Sequence, residues 1–172
     1  MTRDVRPFLQ VKAARDLEHL RFNMLSFLYF KDSKGIHPLL SKTFRLFFPV
    51  MIVPYVLGAE VAYFRRRRYF VKLGKQTVGI FALQEKLGAL YVSSLAVAPE
   101  YQRLMIAHYM LSFASCVAEQ LGEKRLELSV LKANAPALQL YREFGFTVKE
   151  ERTWSLILTK TLGNGDDGHG KS

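Results

Sequence analysis

The residues most able to do chemistry lie in two short stretches of the second half of the chain. In SSLAVAPEYQRLMIAHYML (Ser93 to Leu111) an apolar run reaches Pro99, and Gln102 and Arg103 then lead straight into a helical pattern. A helix N-terminus presents unpaired N–H groups and a partial positive charge, so a strand feeding one is a natural seat for a phosphate. Glycine is needed at such junctions where φ must be positive or where a Cβ would strike the ligand, yet none stands between Ala98 and Leu111. If residues 102–107 are already helical, Met105 can still donate its N–H with its side chain turned away, and Arg103 can add charge-assisted contacts. An ordinary strand-to-helix turn is the plainer reading of the same residues. The second stretch, NAPALQLYREFGF (Asn134 to Phe146), opens on a capping asparagine and a first-turn proline and carries Tyr141 beside Leu140 and Phe144.

Other polar candidates are weaker. A general base would most simply be a carboxylate. Glu127, on the strand face opposite Leu126 and Leu128, and Glu60 are the two in suitable segments. Both read more simply as solvated side chains, and no base is assigned. RRRR, Arg65 to Arg68, would dock an acidic substrate or nucleic acid, or form a solvated, self-repelling turn. His19, His37 and His108 have no ligand spacing with each other or with Cys116, so no metal is expected. Cys116, the single cysteine, reads as a small core residue on a helix.

These residues need elements to position them. After an extended DVRPF, Leu17, Leu20, Met24, Phe27 and Leu28 recur at helical spacing, and KDSKG ends that helix. Leu40, Phe44, Phe47 and Phe48 suggest a second short helix ended by Pro49, while residues 49–64 fit strand or loop. From Tyr69 the period changes to two. YFVKL and TVGIFAL flank Gly74 and Lys75 as a hairpin, and Ala89 to Val97 makes a third strand stopped by Pro99. Ile106, Met110, Phe113, Val117 and Leu121 then form one apolar helical stripe, with Gly122 beyond it. RLELSV is a strand, residues 134–145 a helix, and Phe146 to Val148 and Trp154 to Thr159 the last strands. The order predicts an α+β, mixed α/β fold: one sheet with helices packed on its faces.

The bulk properties bound the class. A chain of 172 residues with 49% hydrophobic content is most simply one domain with a full core. One cysteine leaves no disulfide framework, and MTRDVRPFLQ holds no apolar segment of the signal-peptide kind, so a cytoplasmic protein is expected. LFFPVMIVPYVLGA (Leu46 to Ala59) has two prolines and falls short of the roughly 20 residues of a spanning helix. A net charge of +10 favours acidic partners or a phosphate-bearing ligand, or serves solubility. GNGDDGHGKS (residues 163–172) reads as a disordered polar tail after a domain of residues 1–162.

The two stretches together resemble the GNAT superfamily of acyl-CoA-dependent N-acetyltransferases. The family's pyrophosphate loop, Q/R-x-x-G-x-G/A, is matched in part by Gln102-x-x-Met105-x-Ala107. The family's N-x-x-A-x-x-L-Y-x-x-x-G-F pattern is matched by Asn134, Ala137, Leu140, Tyr141, Gly145 and Phe146 in register. The likeness spans about residues 69–160, with a looser fit before it. It implies a single GNAT-like domain with a central, mostly antiparallel twisted sheet and helices on both faces. It implies acetyl-CoA or another acyl-CoA as co-substrate and a small-molecule or peptide amine as acceptor. By the same resemblance the pyrophosphate sits on Gln102, Arg103, Leu104, Met105, Ile106 and Ala107. The pantetheine arm lies along the backbone of Leu95, Ala96 and Val97 as an added strand would, and Asn134 contacts the arm or simply caps its helix. Tyr141 then protonates the leaving thiolate, a role suited to a phenol of ordinary pKa about 10.

Residues 22–68 would shape the acceptor site, and their Phe, Tyr, Leu and Ile content suits an apolar or aromatic acceptor, or a core. A homodimer paired through a sheet edge is compatible with the pattern. Two rival readings remain: a GNAT-like fold that binds acyl-CoA without turnover, with Met105 in the loop, and a basic module using Arg65 to Arg68. The module lacks the stacked aromatics of nucleic-acid readers, so nucleic acid is not the expected partner.

Overall fold

The structure, a computed structural model, describes residues 6–14, 18–30 and 66–163. The expected second helix, the 49–64 segment, Glu60, Arg65, His37 and the tail beyond Gly163 lie outside the described residues. Seven strands form one sheet: β1 (Leu9–Ala13), β2 (Arg67–Leu73), β3 (Gln76–Lys86), β4 (Ala89–Val97), β5 (Arg125–Leu131), β6 (Thr147–Glu151) and β7 (Ser155–Thr161). Among the described residues three helices accompany them: α1 (Glu18–Phe30), α2 (Ile106–Gln120) and α3 (Ala135–Glu143). The strand order is β1-β2-β3-β4-β5-β7-β6. Only β4 and β5 pair in parallel, because α2 is the crossover between them; the other neighbours are antiparallel.

The two faces of the sheet bury different sets. On one, Tyr69, Val71, Phe81, Leu83, Leu90, Val92, Leu126, Leu128 and Leu158 meet Ile106, Met110, Leu111, Ala114 and Ala118 of α2 and Tyr141 of α3. Tyr69 stacks on Phe81, and Phe113 meets both rings edge-on. On the other, Phe22 of α1 packs against Phe70, Ile80, Ala82 and Ala96. Helices on both faces of a mostly antiparallel sheet are the expected architecture.

Several elements differ from the sequence expectation. Strand β1 was not foreseen: five residues carry too little alternation, and pairing with β2 from Leu9↔Leu73 to Ala13↔Tyr69 decides their state. In α1, Met24 is exposed, and the buried side carries Phe22, Asn23 and Ser26. Apolar residues surround that helix, so its inward face was not unique. In α2 the buried line is Ile106, Met110, Leu111, Ala114 and Ala118, whereas Leu121 caps the C-terminus exposed. Small alanines face the sheet because close approach leaves room for little more. Cys116 is exposed, not a core residue; it lies on the side of α2 turned from that line.

Candidate active site

Strands β4 and β5 pair over only three positions, Leu90↔Leu126, Tyr91↔Glu127 and Val92↔Leu128, and then part. The cause lies on the other side of β4. Ile80 faces Ala96 and Ala82 faces Ser93, so Ser94 and Leu95 together stand opposite Phe81, a bulge that bends the strand. Ser94 adopts φ 53, a left-handed conformation costly for a residue with a Cβ. At Gly79 a Cβ would come within 3.2 Å of both the Ala96 carbonyl oxygen and Met110 Sδ, so the closeness of β3, bulge and α2 needs glycine there.

The opening leaves β4 backbone groups without a strand partner. Ala98 N–H donates to the Val78 carbonyl at 2.9 Å. Alternation along an antiparallel pair then turns Ala96 toward Ile80 and leaves the N–H and C=O groups of Leu95 and Val97 facing the opening. Of the three residues expected to offer backbone to an extended ligand, Leu95 and Val97 are so placed and Ala96 is not. The side chain of Gln102 folds back and donates from Nε2 to the Val97 carbonyl at 3.3 Å.

The junction after β4 is not α-helical until Ile106. Pro99–Tyr101 forms a short 3-10 turn, Gln102 is extended, and α2 begins only at Ile106. Arg103 (φ 62) and Met105 (φ 59) are both left-handed, a conformation that glycine adopts without strain. Its side chain is 44% exposed, while Ile106 is buried and Leu104 half-buried against the core. These last two can therefore offer a ligand only backbone. Met105 is the N-cap residue of α2; its own side chain makes no capping bond, and the first turn holds no acid. The Tyr109 N–H, bonded to the Met105 carbonyl at 3.0 Å, starts the intrahelical ladder. The earlier N–H groups, from Met105 to His108, point past the helix end, where an anion satisfies them best.

At α3 the opposite holds. Asn134 Oδ1 accepts from the Ala137 N–H at 3.3 Å, so this residue is a cap in fact. Tyr141, one helix turn beyond Ala137, is 7% exposed, its ring edge-on to Phe146. Burial pushes its phenol up to about 12. Its hydroxyl meets no hydrogen-bond partner among the described residues.

On the α1 face, the polar residues of β4 and β5 line the end of their pairing. Glu127, expected to be solvated, is 8% exposed, and Lys149 of β6 donates to its Oε1 at 2.6 Å. The sequence could not show this, since the pair depends on β6 and β7 folding back beside β5. The described arginines of the run, Arg66 to Arg68, go to three different environments. Arg66 donates to Gln84 Oε1 and Ser93 Oγ, Arg67 pairs with Glu85, and Arg68 is buried with its guanidinium over the Phe22 ring. Among the described residues no three His, Cys, Asp or Glu gather as metal ligands would, and no helix is long and apolar enough to cross a membrane.

A profile of the acetyltransferase (GNAT) family matches residues 36–146. No curated protein matches the chain in sequence. Among solved structures, PaiA N-acetyltransferase from Thermoplasma acidophilum, in complex with coenzyme A, is similar at 14% identity. Its TM-score is 0.65, over 89% of this chain and 98% of that one. The ribosomal-protein-S18-alanine N-acetyltransferase of Escherichia coli is similar at 17% identity and TM-score 0.61, over 93% and 97%. Nourseothricin acetyltransferase is similar at 22% identity and TM-score 0.55, over 58% of this chain and 66% of its own length, just under two thirds.

Proposed function

This chain belongs to the acetyltransferase (GNAT) family, and from that premise we propose that it moves an acetyl or related acyl group from acyl-CoA to a primary amine. The observation that carries the reading is the stretch from Ser94 to Met105. All three left-handed non-glycine residues among those described, Ser94, Arg103 and Met105, fall within it. Each costs on the order of 1–3 kcal/mol, and such strain persists where the surrounding structure needs the geometry. Here it opens the sheet beside Leu95 and Val97 and turns the uncapped end of α2 outward.

The residues present fit acyl-CoA. The N–H groups at the start of α2 suit a pyrophosphate, with Arg103 exposed beside them. The outward groups of Leu95 and the Val97 N–H suit an amide-bearing arm, which would take the place of a strand next to β4; the Val97 carbonyl is already held by Gln102. Asn134 is engaged as a cap and supports this wall by holding α3 in place. The co-substrate supplies an activated thioester; the protein's task is to orient it, exclude water and receive the amine.

Tyr141 is the residue proposed to act on the leaving sulfur. A phenol at about 12 is a weaker acid than an ordinary tyrosine. Full proton transfer to a thiolate of pKa about 8.5 would run uphill by roughly 5 kcal/mol. The phenol therefore works as a buried hydrogen-bond donor that stabilises developing negative charge, and solvent or the acceptor supplies the proton. A left-handed Met105 meets the positive-φ requirement of such a loop without glycine, which favours this reading over a non-catalytic one.

Calorimetric titration with acetyl-CoA and free CoA tests the reading, followed by thiol release with a panel of amines. Micromolar binding and amine-dependent release are expected. Absence of binding by both the natural chain and Met105→Gly overturns it, and full turnover by Tyr141→Phe removes the role of that hydroxyl.

A further inference from the structure

One of the backbone groups that β4 turns toward the opening is already taken by the protein's own side chain. Ala98 N–H donates to the Val78 carbonyl, so both ladder groups of Val97 point the other way, toward the missing strand. Gln102 reaches back and donates from Nε2 to that Val97 carbonyl at 3.3 Å. A carbonyl can only accept, so the glutamine must present its NH2 end. This primary amide stands where the N–H of an added strand would stand. The bond is exposed and neutral, and it is not what holds the turn. Tyr101 N–H donates to the Ala98 carbonyl at 2.9 Å and Gln102 N–H to the Pro99 carbonyl at 3.3 Å. The Tyr101 hydroxyl is bonded to Gln76 Oε1 on β3. The backbone of Gln102 is thus fixed independently of its side chain, which can swing out while the loop stays in place.

We propose that Gln102 sets the affinity for the pantetheine arm: its side-chain amide occupies the Val97 carbonyl in the free protein, and an amide N–H of the arm displaces it. This rests on the transferase reading. The exchange trades one neutral hydrogen bond for another, so the arm gains less at the Val97 carbonyl than at a group that only water holds. Gln102 is then a built-in competitor for the arm. The pyrophosphate, which meets the N–H groups at the start of α2, gains and loses nothing by the exchange. The effect therefore falls on ligands that carry the arm and spares those that do not.

Calorimetry with CoA and with ADP, which shares the pyrophosphate but lacks the arm, tests it on the natural chain, Gln102→Met and Gln102→Ala. Methionine matches glutamine in length and cannot donate; alanine removes the side chain beyond Cβ. Both variants are expected to bind CoA about three- to tenfold more tightly, the worth of one exposed neutral bond, and ADP within about twofold of the natural chain. The ratio of the two affinities is the readout, since a merely structural role would move both ligands together. In nitrogen-resolved NMR of the natural chain, the Gln102 side-chain NH2 signals should move to the position of a free glutamine amide with CoA and not with ADP. CoA affinity unchanged or weakened in both variants overturns the proposal. An equal loss for CoA and ADP also overturns it, and would mean that the side chain serves the loop or the pyrophosphate. If neither ligand binds any of the three proteins, the transferase reading fails and takes this proposal with it. If both bind and the ratio does not move, the proposal alone fails.

Discussion

Met105 offers the sharpest test of the loop, because the sign of a stability difference depends on its backbone. At φ 59 any residue with a Cβ is strained by roughly 1–2 kcal/mol relative to glycine. Glycine loses roughly 0.5–1 kcal/mol through the extra freedom of the unfolded chain. Removing the side chain forfeits about 1 kcal/mol of apolar burial, since it is 44% exposed. Met105→Gly should therefore be near neutral. Met105→Ala loses the same burial without relief and should fall about 1 kcal/mol below Met105→Gly. Were residue 105 helical, alanine would instead exceed glycine by about 1 kcal/mol. The two conformations thus differ by roughly 2 kcal/mol in one comparison. Urea denaturation of the two variants resolves this as a midpoint difference of roughly 0.3–1 M. Alanine more stable than glycine refutes the left-handed loop and, with it, the argument for the outward-turned helix end. In the same proteins, acetyl-CoA affinity of Met105→Gly should stay within about threefold of the natural chain, because the backbone donors are unchanged. A tenfold gain would mean that the methionine side chain obstructs the cradle.

Three further outcomes follow from particular contacts. Tyr141 ionises near 10 when unfolded and at about 12 when folded, so the unfolded state releases its proton first as pH rises. The natural chain should lose stability relative to Tyr141→Phe between those values, up to about 3 kcal/mol, and show no relative change below pH 9; denaturation series across that range decide it. Asn134→Ala removes the acceptor of the Ala137 N–H and should cost about 1 kcal/mol in thermal or urea unfolding, while Asn134→Ser recovers most of it. Gly79→Ala presses a Cβ toward the Ala96 carbonyl and Met110 Sδ, both at 3.2 Å, and should destabilise by about 1–3 kcal/mol. Met110→Leu in the same background, which removes the sulfur contact, tells which neighbour resists.

Much of this molecule was legible in its residue order, because the signals there are local. Alternation over YFVKL, TVGIFAL and ALYVSSLAV set three strands, and the actual bounds of β4 are Ala89–Val97. Pro99 ended that strand, Asn134 and Pro136 began α3, and the NxxAxxLY spacing placed Tyr141 on its inner side. What stayed hidden depends on partners distant in sequence. The bulge at Ser94 arises from register against Phe81, and it alone decides that Leu95 and Val97, but not Ala96, face the opening. Met105 has low intrinsic preference for a left-handed turn; the pull of Ile106 into the core and of β4 toward its end forces it there. Glu127 looked solvated because its partner stands on β6, beyond α3. The arginine run looked like one patch, yet strand alternation and the α1 helix send its described members to three different environments. Period, caps and breakers are properties of neighbours along the chain, so sequence alone determines them. Register, splay and the pairing of buried charge are set where separate segments meet, and only the tertiary structure decides them.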